Sequence, residues 1–329
     1  MRRTIRMAGP VRAIAAAVVA AVSWLGSPAS AQTIVRYDTV MGGFNILLFD
    51  DITPITVTNF LGYVERGDFD NNLIHRSASN FVIQGGGWTF DGSARVEPRD
   101  YPLVPQGEMI QNEPFLSNTR GTIAMAKLAA PEDGGPPNGG PDSATNQWFI
   151  NLGNNSANLD NQNGGFTAFG VVLDDGMDVV DAIAALPTFS FLSPWNQGPM
   201  RSYSSTDFNN FEPVDGDNVV LIHSIRTVTP GDLDYDGDVD LDDFDILAAN
   251  YGMASGARYG DGDITLDDRI DLDDFSVMAL HFSGAADALA AQLPEPGVGA
   301  MMLPWFGLAM RRTRGRSTAP IAARPFDRL

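Results

Sequence analysis

Cysteine is absent from the 329-residue chain, which excludes disulfide staples, thiol nucleophiles and thiolate metal sites. Basic residues are scarce: 21 Lys and Arg stand against 41 Asp and Glu, a formal charge of −20. Binding a nucleic-acid backbone needs clustered cations that release counterions, so no nucleic acid is expected as a partner. Apolar runs of the ~20 residues needed to cross a bilayer are also lacking. The two nearest candidates, 13–25 and 298–310, hold 13 residues each. What is plentiful points to turns. With 34 Gly and 21 Pro in a chain that is 44% hydrophobic, a β-rich, loop-rich main domain with smaller appendages is favoured over a helical bundle.

The charge is unevenly spread. Residues 1–31 carry four Arg and no acid, 32–229 carry nine bases against 23 acids, and 230–284 carry two bases against 15 acids. A basic start, an apolar run and the small residues Ala29 and Ala31 make residues 1–31 a secretory signal, with cleavage after Ala31. Two β-like runs at 33–37 and 44–49 flank Met41-Gly42-Gly43 and predict a hairpin. Residues 56–66 predict a helix with Val57, Phe60, Leu61 and Val64 on one face, ended by Gly67.

Next comes the segment 74–87, in which Arg76, Phe81 and Gln84 follow one another at offsets of five and three and a glycine run closes the stretch. Strands are expected at 117–125, 147–152, 166–172 and 219–228, a second helix at 176–186, and a long Pro- and Gly-rich loop at 129–145. About eight strands and two helices over some 200 residues fit a β-barrel capped by helices.

Several of these segments together resemble the cyclophilin family of peptidyl-prolyl cis-trans isomerases, in its bacterial secreted form. The residues that carry the resemblance are 44–51 with Pro54 and Asn59-Phe60-Leu61, His75-Arg76, Phe81, Gln84-Gly85-Gly86-Gly87, 121–126, 147–151, Leu159-Asp160, and Phe169-Gly170 with 176–181. They occur in the family's order over 33–229. The resemblance implies an eight-stranded antiparallel barrel capped by two helices, no cofactor for catalysis, and proline-containing polypeptides as partners.

It also implies roles for the site residues. Rotation about an X-Pro bond is slow because amide resonance gives a barrier of about 20 kcal/mol. No bond breaks, so what helps is a donor aimed at the prolyl nitrogen as it pyramidalises, an apolar pocket for the ring, and groups that hold the flanking carbonyls. By the resemblance, Arg76 is that donor. Phe81, Phe149 and Leu159 line the proline pocket, with Val82, Met125 and Phe166 beside it. Gln84 orients Arg76 and the substrate backbone, and the main chain at Lys127 pairs with the peptide as an added strand. His75 reads as structural, because the reaction has no proton to transfer. Asn158 departs from the family, standing where many members have an aromatic residue.

The acidic stretch after the barrel has a pattern of its own. Asp232, Asp234, Asp236, Asp240 and Asp243 occupy positions 1, 3, 5, 9 and 12 of a loop with Gly237 at position 6, an arrangement that suits Ca²⁺. Thirty-one residues later the pattern recurs as Asp263, Asp267, Asp271 and Asp274, with Thr265 at position 3 and Asp268 where the glycine would be. Two loop-helix units over 230–284 resemble a dockerin, a small EF-hand-like helical module that would bind Ca²⁺ and a cohesin-domain protein.

Over 285–329, Pro294-Glu295-Pro296, the second apolar run and the cluster Arg311, Arg312, Arg314 and Arg316 resemble a PEP-CTERM sorting tail processed by an exosortase. The chain as a whole is expected to be exported to the periplasm or cell surface of a Gram-negative bacterium, anchored or sorted through that tail. A non-catalytic adaptor that binds proline segments within a cohesin-dockerin assembly is the competing expectation.

Overall fold

The computed structural model describes residues 32–283. The predicted export signal and the sorting tail lie outside the described residues. The chain opens with the expected hairpin: β1 (Ile34–Thr39) pairs antiparallel with β2 (Gly42–Leu48), Ile34 opposite Leu47 and Thr39 opposite Gly42. The chain reverses at Val40-Met41, and Gly42 enters the second strand at φ +122°, where a side chain would be strained.

Helix α1 (Pro54–Glu65) begins two residues ahead of the expected position, with Pro54 in its first turn, where a missing N–H costs nothing. Glu113 supplies the cap from far along the chain. Its carboxylate accepts from Ile55 N, Thr56 N and Thr56 Oγ1 at 3.2, 2.9 and 2.8 Å. Val57, Phe60 and Val64 face inward as expected, and Tyr63 joins them.

The remaining strands of the main sheet are β3 (Asn72–Leu73), β4 (Arg76–Ala78), β5 (Val82–Gly85), β6 (Thr122–Met125), β7 (Trp148–Asn151), β8 (Ala168–Val172) and β11 (Leu221–Thr227). Their order is β3-β11-β1-β2-β8-β6-β7-β5-β4. The two outermost strands are neighbours in sequence, separated only by Ile74 and His75. Ile74 N donates to Val220 O and His75 N to Gln84 O, both at 3.1 Å, so one short segment belongs to both edges of the sheet. The result is a curled antiparallel sheet of nine strands, one more than expected, because segment 72–78 splits between its two ends.

Inside the curl lie Tyr37, Phe44, Ile46, Phe60, Trp148 and Phe169, with Tyr37 stacked on Phe44 at 4.8 Å and edge-on to Trp148 at 5.3 Å. The glycine run serves this core. A Cβ on Gly85 would sit 2.8 Å from the Trp148 ring, and one on Gly86, at φ +84°, would sit 2.4 Å from Asn146 O.

Short elements complete the chain: α2 (Ser156–Leu159), α3 (Gly176–Ala184), the ribbon of β9 (Thr188–Phe189) and β10 (Gly198–Pro199), and α4 (Ser205–Asn209). In the acidic region, α5 (Leu241–Asn250) and α6 (Leu272–His281) each start from a capping box, Asp240 with Asp243 and Asp271 with Asp274. The repeat seen in the sequence is therefore also a repeat of hydrogen bonds. Leu233 N donates to Asp243 Oδ1 at 2.6 Å, and Ile264 N donates to Asp274 Oδ1 at 2.9 Å.

This pair of units packs on the barrel. Ile34 and Val228 of the barrel share an apolar cluster with Leu233, Val239, Tyr259, Ile264 and Met278. Tyr235 reaches furthest. The Arg36 guanidinium carbon lies 4.3 Å from its ring centroid, Asn45 Nδ2 donates to its hydroxyl at 2.7 Å, and Arg226 donates to its carbonyl. Arg258 pairs with Asp175 on the barrel side.

Candidate functional site

Strands β4, β5 and β7 set the site. Arg76 on β4 pairs across with Gln84 on β5, and Gln84 pairs in turn with Phe149 on β7. Strand pleat carries the three side chains to one face, since directly opposed residues project to the same side. Arg76 Nη1 donates to Gln84 Oε1 at 3.4 Å, Gln84 Nε2 donates to Gln147 Oε1 at 3.0 Å, and the Arg76 guanidinium carbon lies 5.9 Å from the Phe81 ring centroid.

Below this polar row is a separate apolar cluster. Val82, Ala124, Phe149, Leu159 and Ala168 are buried in it, and Phe81, Leu116, Ala126 and Phe166 are partly open. Phe149 and Phe166 meet edge to face at 5.8 Å. The cluster is thus closed from beneath and accessible at its aromatic rim, with one fixed positive charge beside it. Burial pulls the Arg76 pKa down from its ordinary value. A guanidinium nonetheless keeps its charge at any pH at which a protein folds.

His75, next to Arg76, is 2% exposed and lies between Trp88 and Trp195, with ring centroids 4.7 and 6.1 Å away. Burial, helped by the Arg76 charge, lowers its pKa to about 3. Between about pH 6.5 and about 3 the unfolded chain takes up a proton at His75 that the folded chain refuses, so stability falls as pH falls through that window. In urea titrations, wild type should lose stability between pH 6.5 and 4 more steeply than His75→Phe, by at most about 1.4 kcal/mol per pH unit. Equal slopes would remove His75 from the acid response.

The chain has relatives among known proteins. Residues 34–203 match the family of cyclophilin type peptidyl-prolyl cis-trans isomerase/CLD. The chain belongs to this family. As a cyclophilin it is an enzyme, a peptidyl-prolyl cis-trans isomerase. It is 37% identical over 170 residues to a peptidyl-prolyl cis-trans isomerase of Acinetobacter baylyi, covering 51% of this chain and 80% of that one. To peptidyl-prolyl cis-trans isomerase B of Escherichia coli it is 38% identical over 159 residues, covering 47% and 86%. To isomerase A of Dickeya dadantii it is 33% identical over 194 residues, covering 57% and 92%.

The cyclophilin fold brings together Arg76, Phe81, Val82, Gln84, Phe149, Leu159 and Phe166. Lys127 lies just past β6. Its ammonium donates to Asn163 O at 2.8 Å and Gly165 O at 2.5 Å and sits 4.7 Å from the Phe166 ring, and burial lowers its pKa to about 8. Met125 is placed elsewhere. It is 2% exposed and packs in the main core, while its neighbours Ala124 and Ala126 face the pocket cluster. Strand alternation forces this, since Met125 and its two neighbours cannot share a face.

Residues given no role of their own from the sequence are Ala126, Gln147 and Gln197. Ala126 and Gln147 also line a cavity of about 100 Å³ with Gln84, Lys127 and Ser143, which continues the site past Gln84. The pairing of Gln84 with Gln147 follows from strand register, which no single segment displays.

The predicted metal residues divide into two unequal sets. In the first loop, carboxylate oxygens of Asp232, Asp234 and Asp236 lie within 4.8 Å of one another, as do those of Asp238, Asp240 and Asp243. Asp232 is fully buried, neither of its side-chain oxygens has a hydrogen-bond partner, and Arg226 Nη1 stands 3.5 Å away. Burial raises its pKa. In the second loop the matching Asp263 accepts from Asp267 N at 3.0 Å and Asp268 N at 2.9 Å, and Asp267 is paired with Arg269 at 2.5 Å. Asp271 and Asp274 cap α6. Among the described residues the second loop forms no comparable carboxylate group.

Proposed function

We propose that this cyclophilin speeds X-Pro rotation in exported polypeptides, with Arg76 donating to the prolyl nitrogen as it leaves the amide plane. The observation that carries the reading is the Arg76 guanidinium, tied to Gln84 beside the open rim of the Phe81, Phe149 and Phe166 cluster. The planar amide nitrogen has no basic lone pair. The twisted one does, so a hydrogen bond from Arg76 strengthens only as the barrier is climbed, which is the condition for acceleration. The proline ring enters the cluster of Phe81, Val82, Phe149, Leu159 and Phe166. Gln84 and the main chain at Lys127 hold the flanking peptide groups as an added strand. No proton moves, consistent with a neutral, enclosed His75.

The acidic module is proposed to take Ca²⁺ at its first loop and to serve as the dockerin-like attachment to a cohesin-domain partner. The tail beyond 284 would meet an exosortase-like enzyme after export. Asp232 supports the cation: its carboxylate is buried, lies within 4.8 Å of the carboxylate oxygens of Asp234 and Asp236, and is approached by Arg226 at 3.5 Å. The second loop's Asp263 has both oxygens filled by backbone donors, so one site is expected rather than two. Bound Ca²⁺ would supply positive charge to the oxygens of Asp232, Asp234 and Asp236.

Two measurements on the chain from Gln32 onward test these readings. A protease-coupled assay should show accelerated isomerisation of an X-Pro peptide, whereas the adaptor alternative requires peptide binding without acceleration. Calorimetry in chelator-stripped buffer should show one Ca²⁺ per chain, abolished in Asp232→Asn. Absence of uptake would remove the calcium reading and leave the isomerase untouched.

A further inference from the structure

The excursion between α3 and β11 contains a residue that holds the guanidinium at a different nitrogen from the one Gln84 holds. Gln197 lies immediately before β10, and its carbonyl accepts Ser77 N at 2.8 Å, forming a parallel bridge to Arg76 across 121 residues of chain. Its side-chain Oε1 accepts Arg76 Nε–H at 3.2 Å. We propose that Gln197 is a positioning residue for isomerisation, fixing Nε of Arg76 so that the outer fork of the guanidinium points at the substrate. The proposal rests on the role of Arg76 given above.

The donor inventory supports it. A guanidinium has five N–H donors. Here Gln197 takes the one on Nε and Gln84 takes one on Nη1, which leaves three for the peptide. Both acceptors are neutral amide oxygens. A carboxylate at either place would pair with the charge and weaken its pull on the prolyl nitrogen, while an amide oxygen fixes direction without neutralising. A side chain held at two points on its inner edge also loses less freedom when substrate arrives.

Gln197 is itself rigidly mounted. Trp195 and Met200, on either side of it, are fully buried in an aromatic cluster with Leu73, Trp88 and Tyr203. A Cβ on the next residue, Gly198, would lie 3.1 Å from the Trp195 ring and 3.3 Å from Met200, so the backbone there is packed tightly. A supporting side chain that is itself held by packing keeps a catalytic group in place.

The test replaces Gln197 with Met, which keeps the length and removes the acceptor. In the chain from Gln32 onward, Gln197→Met should lower kcat roughly tenfold with KM nearly unchanged, as expected when alignment and not binding is lost. The melting temperature should hold, and the Arg76 Nε–H resonance in ¹⁵N NMR should shift and broaden. In an Arg76→Lys background, which has no Nε–H to align, the same substitution should have almost no further effect. An unchanged kcat in Gln197→Met, or an equal fractional loss in both backgrounds, overturns the proposal. Full activity of Arg76→Ala would instead overturn the underlying role of Arg76, so the two failures are distinguishable.

Discussion

Arg76→Ala is expected to reduce kcat/KM for an X-Pro peptide by about 10² to 10³-fold, the loss typical of removing one preorganised donor from a developing lone pair or charge. The effect should fall on kcat, because the planar ground-state amide offers Arg76 no comparable acceptor. Arg76→Lys restores the charge but not the fork. An ammonium has no Nε–H for Gln197 and cannot hold Gln84 and substrate in one plane, so only a small part of the rate should return. Folding should survive both changes, since the side chain is only half buried and the oxygens it leaves on Gln84 and Gln197 are themselves partly open to water. Peptide binding by Phe81, Phe149 and Leu159 should persist in Arg76→Ala, and that separates catalysis from capture. Wild-type activity in this variant would rule out the proposed mechanism.

How much of this was legible beforehand depended on how local the signal was. Arg76, Phe81 and Gln84 sit within nine residues of one another, and β4 and β5 form a hairpin, so their spacing already encodes their meeting. Phe149 was reachable because β7 pairs directly with β5. Met125 packs in the main core because strand alternation turns it away from the face that Ala124 and Ala126 share, which its own segment does not display.

Gln197 was invisible for a different reason. It lies in a Pro- and Gly-rich excursion without periodicity, and only the contact of that excursion with β4 gives it meaning. Tyr235 was equally hidden, for at position 4 of an acidic loop it reads as an ordinary loop residue. The sheet closing on itself through Ile74 and His75 is not readable from the sequence, because it depends on the pairing of Leu73 with Leu221, which lie far apart along the chain.

The same hidden contacts lead to the largest stability effect expected of this chain. A polypeptide of residues 32–229, ending where the cyclophilin sequence pattern ends, should be markedly less stable than one of residues 32–283. Truncation uncovers Ile34 and Val228, now 4% and 7% exposed, and opens Leu47 and Leu173 at the barrel wall. It also strips Arg36 of the Tyr235 ring and Asn45 of its hydroxyl acceptor. Apolar burial and the cation-π contact together make the loss on the order of 3–5 kcal/mol. For a barrel of this size that lowers the melting temperature by roughly 10 °C.

Tyr235→Ala in the longer chain should reproduce part of the loss without removing the module, which ties the effect to this contact rather than to chain length. The longer chain should also melt in one transition, since barrel and module share one apolar cluster. An independent appendage on a flexible tether would leave the barrel's transition where it was, and identical melting of the two lengths would show that the packing of Tyr235 against Arg36 contributes nothing. If Ca²⁺ is bound at Asp232, its addition should raise that single transition and not a separate one. Asp232 pairs with Arg226 on the last strand of the sheet, and the module shares its apolar cluster with Ile34 and Val228, so a cation that stabilises the loop is expected to stabilise the barrel wall with it.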